Sequence, residues 1–143
     1  MKLPEYVTKE EVARVCRELG FKDWSQTTPE ITEAESAAIL NIVNIAGLPV
    51  PAADFKSGLE VELEHGTMYP DANVTNNHPI LTGLIVMAHL KESLDYYQRL
   101  EVVEIEGDLL KAYAAGDDDK LKAKYGKLIT AKLKLAETES NQG

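Results

Sequence analysis

The sequence predicts an all-α, single-domain bundle of about five helices over residues 1–136, followed by a flexible tail at 137–143. Three observations carry that expectation. Apolar residues recur at intervals of three and four in almost every segment, no stretch alternates with period two over a strand's length, and the segments are bounded by helix-capping residues. With 143 residues and 44% hydrophobic content, the chain can bury one core without disulfides or structural zinc.

Each element has its own signal. Thr8-Lys9-Glu10-Glu11 reads as a capping box, and Val12, Val15, Cys16 and Leu19 follow at helical spacing until Gly20 stops the first helix. Thr28 and Pro29 are expected to open a second helix that runs through Ile31, Ile39, Leu40, Ile42, Val43 and Ile45 to Gly47. Apolar on most sides, it is expected to be the central, most buried element. Leu48-Pro49-Val50-Pro51 is a rigid connector, because proline fixes its own torsion and restricts the residue before it. A third helix should run from near Asp54 to His65 with Gly66 as its cap. After a polar loop, His78-Pro79 begins the longest helix, which reaches about Glu106, where Gly107 bends it or divides it from 108–115. Gly116 and Asp117-Asp118-Asp119 then open a last helix, with acids at its positive end, lysines further along and Leu121, Tyr125, Leu128 and Leu135 as its apolar stripe.

Charge and cysteine usage narrow the setting. Fifteen basic residues against twenty-four acidic ones give a formal charge of −9, a field that repels nucleic-acid phosphates and anionic membrane surfaces. No run is apolar enough to span a bilayer, and the lone Cys16 cannot close an intrachain disulfide, so a reducing, cytoplasmic location is expected. Cys16 itself lies in an apolar stripe and reads as an inert core thiol.

Two short motifs mirror each other. Glu62-Leu63-Glu64-His65 contains E-x-x-H and His89-Leu90-Lys91-Glu92 contains H-x-x-E, and on helices each pair shares one face. Laid antiparallel, the two helices bring His65 level with His89 and Glu62 level with Glu92. On a helical projection Glu62 falls with Phe55, Gly58 and Leu59, and His89 falls within a stripe of Ile85, Val86, Ser93, Tyr96, Leu100 and Val103, so both motifs face inward. Two inward carboxylates repel unless one is protonated or a cation lies between them. Imidazole with carboxylate suits iron, manganese or zinc, which gives the first reading: a divalent-metal site made by Glu62, His65, His89 and Glu92. In the second reading the same residues form a buried hydrogen-bonded network in a helical interaction or assembly module, with a homo-oligomer or another protein as partner. Tyr96 and Glu35 are candidates for an outer shell, although an aromatic at that spacing is ordinarily core and Glu35 sits near a helix start. His78 reads as a helix-start residue. The lysines at 120, 122, 124, 127, 132 and 134 read as a solvated face complementing the helix dipole.

The run from Phe55 through Gly58-Leu59-Glu60-Val61-Glu62-Leu63-Glu64-His65-Gly66, followed by His89-Leu90-Lys91-Glu92 and Tyr96-Tyr97, resembles an uncharacterised family of small bacterial, archaeal and phage proteins. In that family a G-L-x-V-E-x-E-H-G segment precedes an H-L-x-E-x-x-x-Y-Y segment. The resemblance covers about residues 50 to 100 and implies a shared site without an assigned activity. Ferritin-like carboxylate proteins offer a looser likeness, from which this chain departs by pairing one E-x-x-H with a reversed H-x-x-E.

Overall fold

A computed structural model describes residues 6–25 and 30–141, and among them six helices and no strand are found. They are α1 (Lys9–Leu19), α2 (Glu33–Val43), α3 (Ala52–Met68), α4 (Pro79–Glu92), α5 (Tyr96–Ala115) and α6 (Asp118–Ser140). The all-helical class is as expected, with one helix more. The chain forms two compact units, Met1–Glu92 with α1 to α4 and Ser93–Gly143 with α5 and α6.

In the first unit α1 begins at Thr8, whose hydroxyl accepts from the Glu11 amide. Glu11 does not reach back to complete the box; its carboxylate is taken by Arg14. Gly20, at φ 72°, ends α1 in a Schellman turn: the Phe21 amide bonds the Cys16 carbonyl and the Gly20 amide that of Arg17. The complete capping box lies at Thr32–Glu35 and starts α2 at Glu33. Thr28 and Pro29, expected to open this helix, lie outside the described residues. α2 stops at Val43 rather than Gly47, because the Asn44 side chain bonds both the amide and the carbonyl of Leu48 and turns the chain.

The centre of this unit is α4, which packs against α1, α2 and α3, whereas α2 exposes Asn41 and Ile42. The expectation of a central α2 is therefore corrected. α4 can approach α2 closely at Gly83, where an added Cβ would stand 2.5 Å from Ile39 Cγ2. The core is Val12, Val15, Cys16, Trp24, Ile31, Ile39, Val43, Phe55, Leu59, Leu63, Val86, Met87 and Leu90. α3 is longer than expected: it starts at Ala52 and carries on through Gly66, which is not its cap. Gly66 instead leaves space for the Asn73 and Asn77 side chains to lie against the helix.

The expected long helix from Pro79 to about Glu106 is two helices. The break falls at Ser93-Leu94-Asp95, not at Gly107, which is inside α5. Asp95 occupies the N-cap position of α5, is buried, and receives the Ser93 hydroxyl and two bonds from Arg99, at 2.9 and 2.8 Å. Short polar side chains that bond locally give the backbone an alternative to continued helix. The Arg99 guanidinium holds the Asp95 carboxyl below the usual aspartate range.

The second unit is an antiparallel hairpin. Gly116, at φ 66°, closes α5, and the Asp117 carboxylate caps α6 by accepting from the Lys120 amide. Val102, Leu128 and Ala131 form its core, with Ile105, Leu109 and Leu135 packed against them. α6 continues to Ser140, so residues 137–140, expected to begin a tail, form its last turn. Three lysines and an arginine serve acids: Lys124 and Lys111 pair with Asp108, Lys132 with Glu106 and Arg99 with Glu139. Among the described residues no helix is long and apolar enough to cross a membrane.

Candidate functional site

The two mirrored motifs lie on α3 and α4, which pack together. Phe55, Leu59 and Leu63 bury one stripe of α3, and Glu62 lies beside it, its side chain 17% exposed. His89 faces it from α4, 31% exposed, with Nε2 3.5 Å from Glu62 Oε1.

That contact fixes the register, and it differs from the expected one by about a helical turn. Glu62, not His65, is opposite His89. One turn on along α3, His65 shares a cavity with Glu62 and with Ile85, an apolar residue of α4. One turn on along α4, Glu92 is exposed. The structure thus brings Glu62 and His89 together and holds His65 nearby; Glu92 stands in solvent at the end of α4. The reason is visible in the core: Leu63, Val86 and Leu90 are fully buried, and setting the apolar seam takes precedence over aligning the polar pairs. Among the described residues no group of three or more His, Cys, Asp and Glu side chains is placed to hold a metal ion.

The cavity has a volume of about 160 Å³ and is lined by Glu62, His65, Tyr69, Asn73, Thr75 and Ile85, among others. Its outer wall is the loop from Tyr69 to His78. Asn73 donates to the Gly66 carbonyl at 3.0 Å and to Asn77 Oδ1 at 2.8 Å. Asn76 and Asn77 adopt left-handed backbone torsions, which asparagine tolerates better than most residues. Asn76 reaches the Val7 carbonyl and Asn77 that of Trp24, tying the loop to the segments before and after α1. His78 ends the loop as the cap of α4: its Nδ1 accepts from the Ile80 and Leu81 amides, at 3.2 and 3.3 Å. Burial lowers the His78 pKa, against the pull of the Glu11 carboxylate. The helix-start role expected for this residue is the one it has. The asparagine network was not anticipated, although an Asn-rich loop before a proline-initiated helix was its signal.

Both candidate outer-shell residues lie near helix starts. Glu35 is buried and its carboxylate accepts from the Thr32 amide and hydroxyl, both at 2.8 Å, so it is the capping acid of α2. Tyr96 is at the start of α5, beyond the break, and stacks edge-on against Tyr97 at 5.2 Å. The break also removes Ser93, Leu100 and Val103 from the stripe of His89. Cys16 is buried, and that burial raises its thiol pKa, as an inert core thiol requires.

A second surface stands out on the hairpin. Val103, Leu110 and Tyr113 of α5 and Tyr125, Ile129 and Leu133 of α6 are all at least half exposed. Sequence reasoning placed Val103 and Tyr125 in apolar stripes facing the core; the structure turns them outward. The missed signal was the seven-residue recurrence of Val103 and Leu110 alongside a separate inner set of Val102, Ile105, Leu109 and Ala112.

The model of a family described as "Protein of unknown function (DUF5661)" matches residues 12–106, more than half of the chain. The matched span contains both motifs and begins well before the region that carried the resemblance. No curated protein and no solved structure matches the chain.

Proposed function

We propose that the chain, which belongs to the DUF5661 family, is a helical protein-interaction module whose docking surface is one face of the α5–α6 hairpin. The observation behind this reading is the set of six large apolar side chains that the hairpin exposes in addition to its own buried seam. Single exposed hydrophobics are ordinary, but large apolar side chains recurring along both helices of one hairpin are a feature of surfaces that meet another protein. In this reading Glu62 and His89 are a structural polar pair on the α3–α4 seam, and the protein works in the cytoplasm, where Cys16 stays reduced.

Hydroxyl-radical footprinting of Tyr113 and Tyr125 in the producing cell and in dilute purified protein tests the reading. Both rings protected in the cell, relative to a denatured reference, is the expected result; both fully reactive in the cell contradicts it.

A second reading is supported by the approach of Glu62 to His89 with His65 on the adjoining cavity: a divalent-cation site for iron, manganese or zinc on the α3–α4 seam. Its donors would be Glu62, His89 and His65, with Glu92 able to join only by a change of rotamer. Purified protein that retains a stoichiometric ion through dialysis against a chelator supports this reading. Metal-free protein whose melting temperature is unmoved by zinc, manganese or ferrous iron overturns it.

A further inference from the structure

We propose that His78 is a pH-released latch: protonation of its ring frees the 69–78 loop and opens the wall of the cavity lined by Glu62 and His65. The latch concerns the wall and not what the cavity takes, so it stands apart from both readings of function.

The trigger is the first turn of α4. Neutral His78 offers the Nδ1 lone pair to the Ile80 and Leu81 amides, at 3.2 and 3.3 Å. Once protonated, Nδ1 is a donor facing two donors. The ring is also buried at the positive end of the helix, where an imidazolium is disfavoured twice over. The charged groups that act on it come from α1: the Glu11 carboxylate favours the protonated ring and the Arg14 guanidinium opposes it. Glu11 is itself held by Arg14, which weakens its pull. Loss of hydration is the largest influence, and the protonated ring regains water only by leaving its site.

A continuous set of hydrogen bonds carries that departure to the cavity. Asn77, the residue before His78, accepts through Oδ1 from the Asn73 side-chain amide at 2.8 Å, and the same amide donates to the Gly66 carbonyl at 3.0 Å. Asn73 and Gly66 both line the cavity, beside Glu62 and His65. Little else holds the loop closed. Of residues 69–78 only His78 is buried, and Val74 is 80% exposed, so the loop is kept by local polar bonds and not by apolar packing. Segments of that kind open at lower free energy than a packed core. Asn76 and Asn77 sit at φ 48° and 62°, a region that residues with side chains occupy at a cost, and opening relieves that strain.

Nuclear magnetic resonance of the full chain between pH 7.5 and 5 tests the latch. Ring-nitrogen shifts separate His78 from His65 and His89, the other two histidines. The expected result is one transition with a midpoint below 6.5, shared by the His78 ring, the Ile80 amide and the Asn73 side-chain amide. Across it the Overhauser contact between Asn73 and Gly66 is lost while the amides of α5 and α6 are unmoved. Opening grows by up to about tenfold per pH unit below that midpoint, the limit for one proton. In His78→Asn, which keeps a capping acceptor that does not titrate, the contact persists at pH 5. A contact that survives protonation of His78 overturns the proposal, because the cap then titrates without moving the wall. Opening that persists in His78→Asn overturns it too, since another group is then the trigger. Melting of the whole first unit in the same transition does so as well, for the loop then has no motion of its own. Should His78→Asn fail to fold, the parent chain decides: an Asn73 midpoint matching the His78 ring is expected, and one matching the His65 ring contradicts the latch.

Discussion

His78 shows how one side chain can couple pH to the polar loop. Its Nδ1 must be unprotonated to accept from the Ile80 and Leu81 amides, and burial lowers its pKa. A pKa depressed on folding means that the contribution to stability is complete above the ordinary histidine value of 6.5 and declines as pH falls below it. Urea titrations at pH 7.5 and 5 should therefore show less stability at the lower pH, and His78→Asn, which keeps a capping acceptor, should flatten that difference. His78→Ala should cost about 1 kcal/mol at neutral pH through loss of the cap. Asp95 acts in a separate window. Its carboxyl is held below the ordinary 3.8 mainly by Arg99, so its contribution persists at pH 5 and disappears only in stronger acid. Arg99→Gln should shift acid unfolding towards higher pH, read by circular dichroism. At the α3–α4 seam, His89→Leu removes one partner of Glu62, and a loss of about 1 kcal/mol is expected in denaturant melts. A collapse of the fold, or a loss several times larger, would show that the pair carries more than a structural contact.

Helix ends account for most of the difference between expectation and structure. Caps made by neighbouring residues were readable: Thr8, Gly20, Gly116 and Asp117 all cap their helices as expected, although Glu11 leaves the box expected at α1 half made. The division of Pro79–Glu92 from Tyr96–Ala115 was not, because Ser93 and Asp95 look like ordinary polar positions in an otherwise continuous helical pattern. Only the bonds of Asp95 to Ser93 and Arg99 reveal the stop. The candidate site depended on the register between two helices, which local pattern does not encode. Each motif was placed on its correct helix, but the seam of Leu63, Val86 and Leu90 set Glu62 opposite His89 and left Glu92 in solvent. Close packing between elements likewise depends on neighbours distant in sequence and has its clearest case at Gly83, against Ile39 and Val43 of α2. Gly83→Ala should cost about 1–3 kcal/mol through overpacking despite alanine's better helix propensity. Gly107→Ala, at a position with open space in α5, should instead stabilise by about 1 kcal/mol.

At the scale of the molecule, the all-helical class followed from periodicity because spacing alone distinguishes helix from strand. Whether an apolar stripe meets the chain's own core or something else does not follow from spacing. Val103 and Tyr125 repeat as regularly as Val102 and Leu128, yet the first two are exposed and the second two buried. A hairpin with one filled and one open apolar face is the feature on which the functional reading rests. The most direct test joins the two properties that a docking surface must separate. Leu110→Glu is predicted to retain the helicity and dilute-solution melting temperature of the parent chain, while the protection expected for Tyr113 and Tyr125 in the cell disappears. A variant that unfolds the hairpin, or one in which both rings stay protected, would contradict the account.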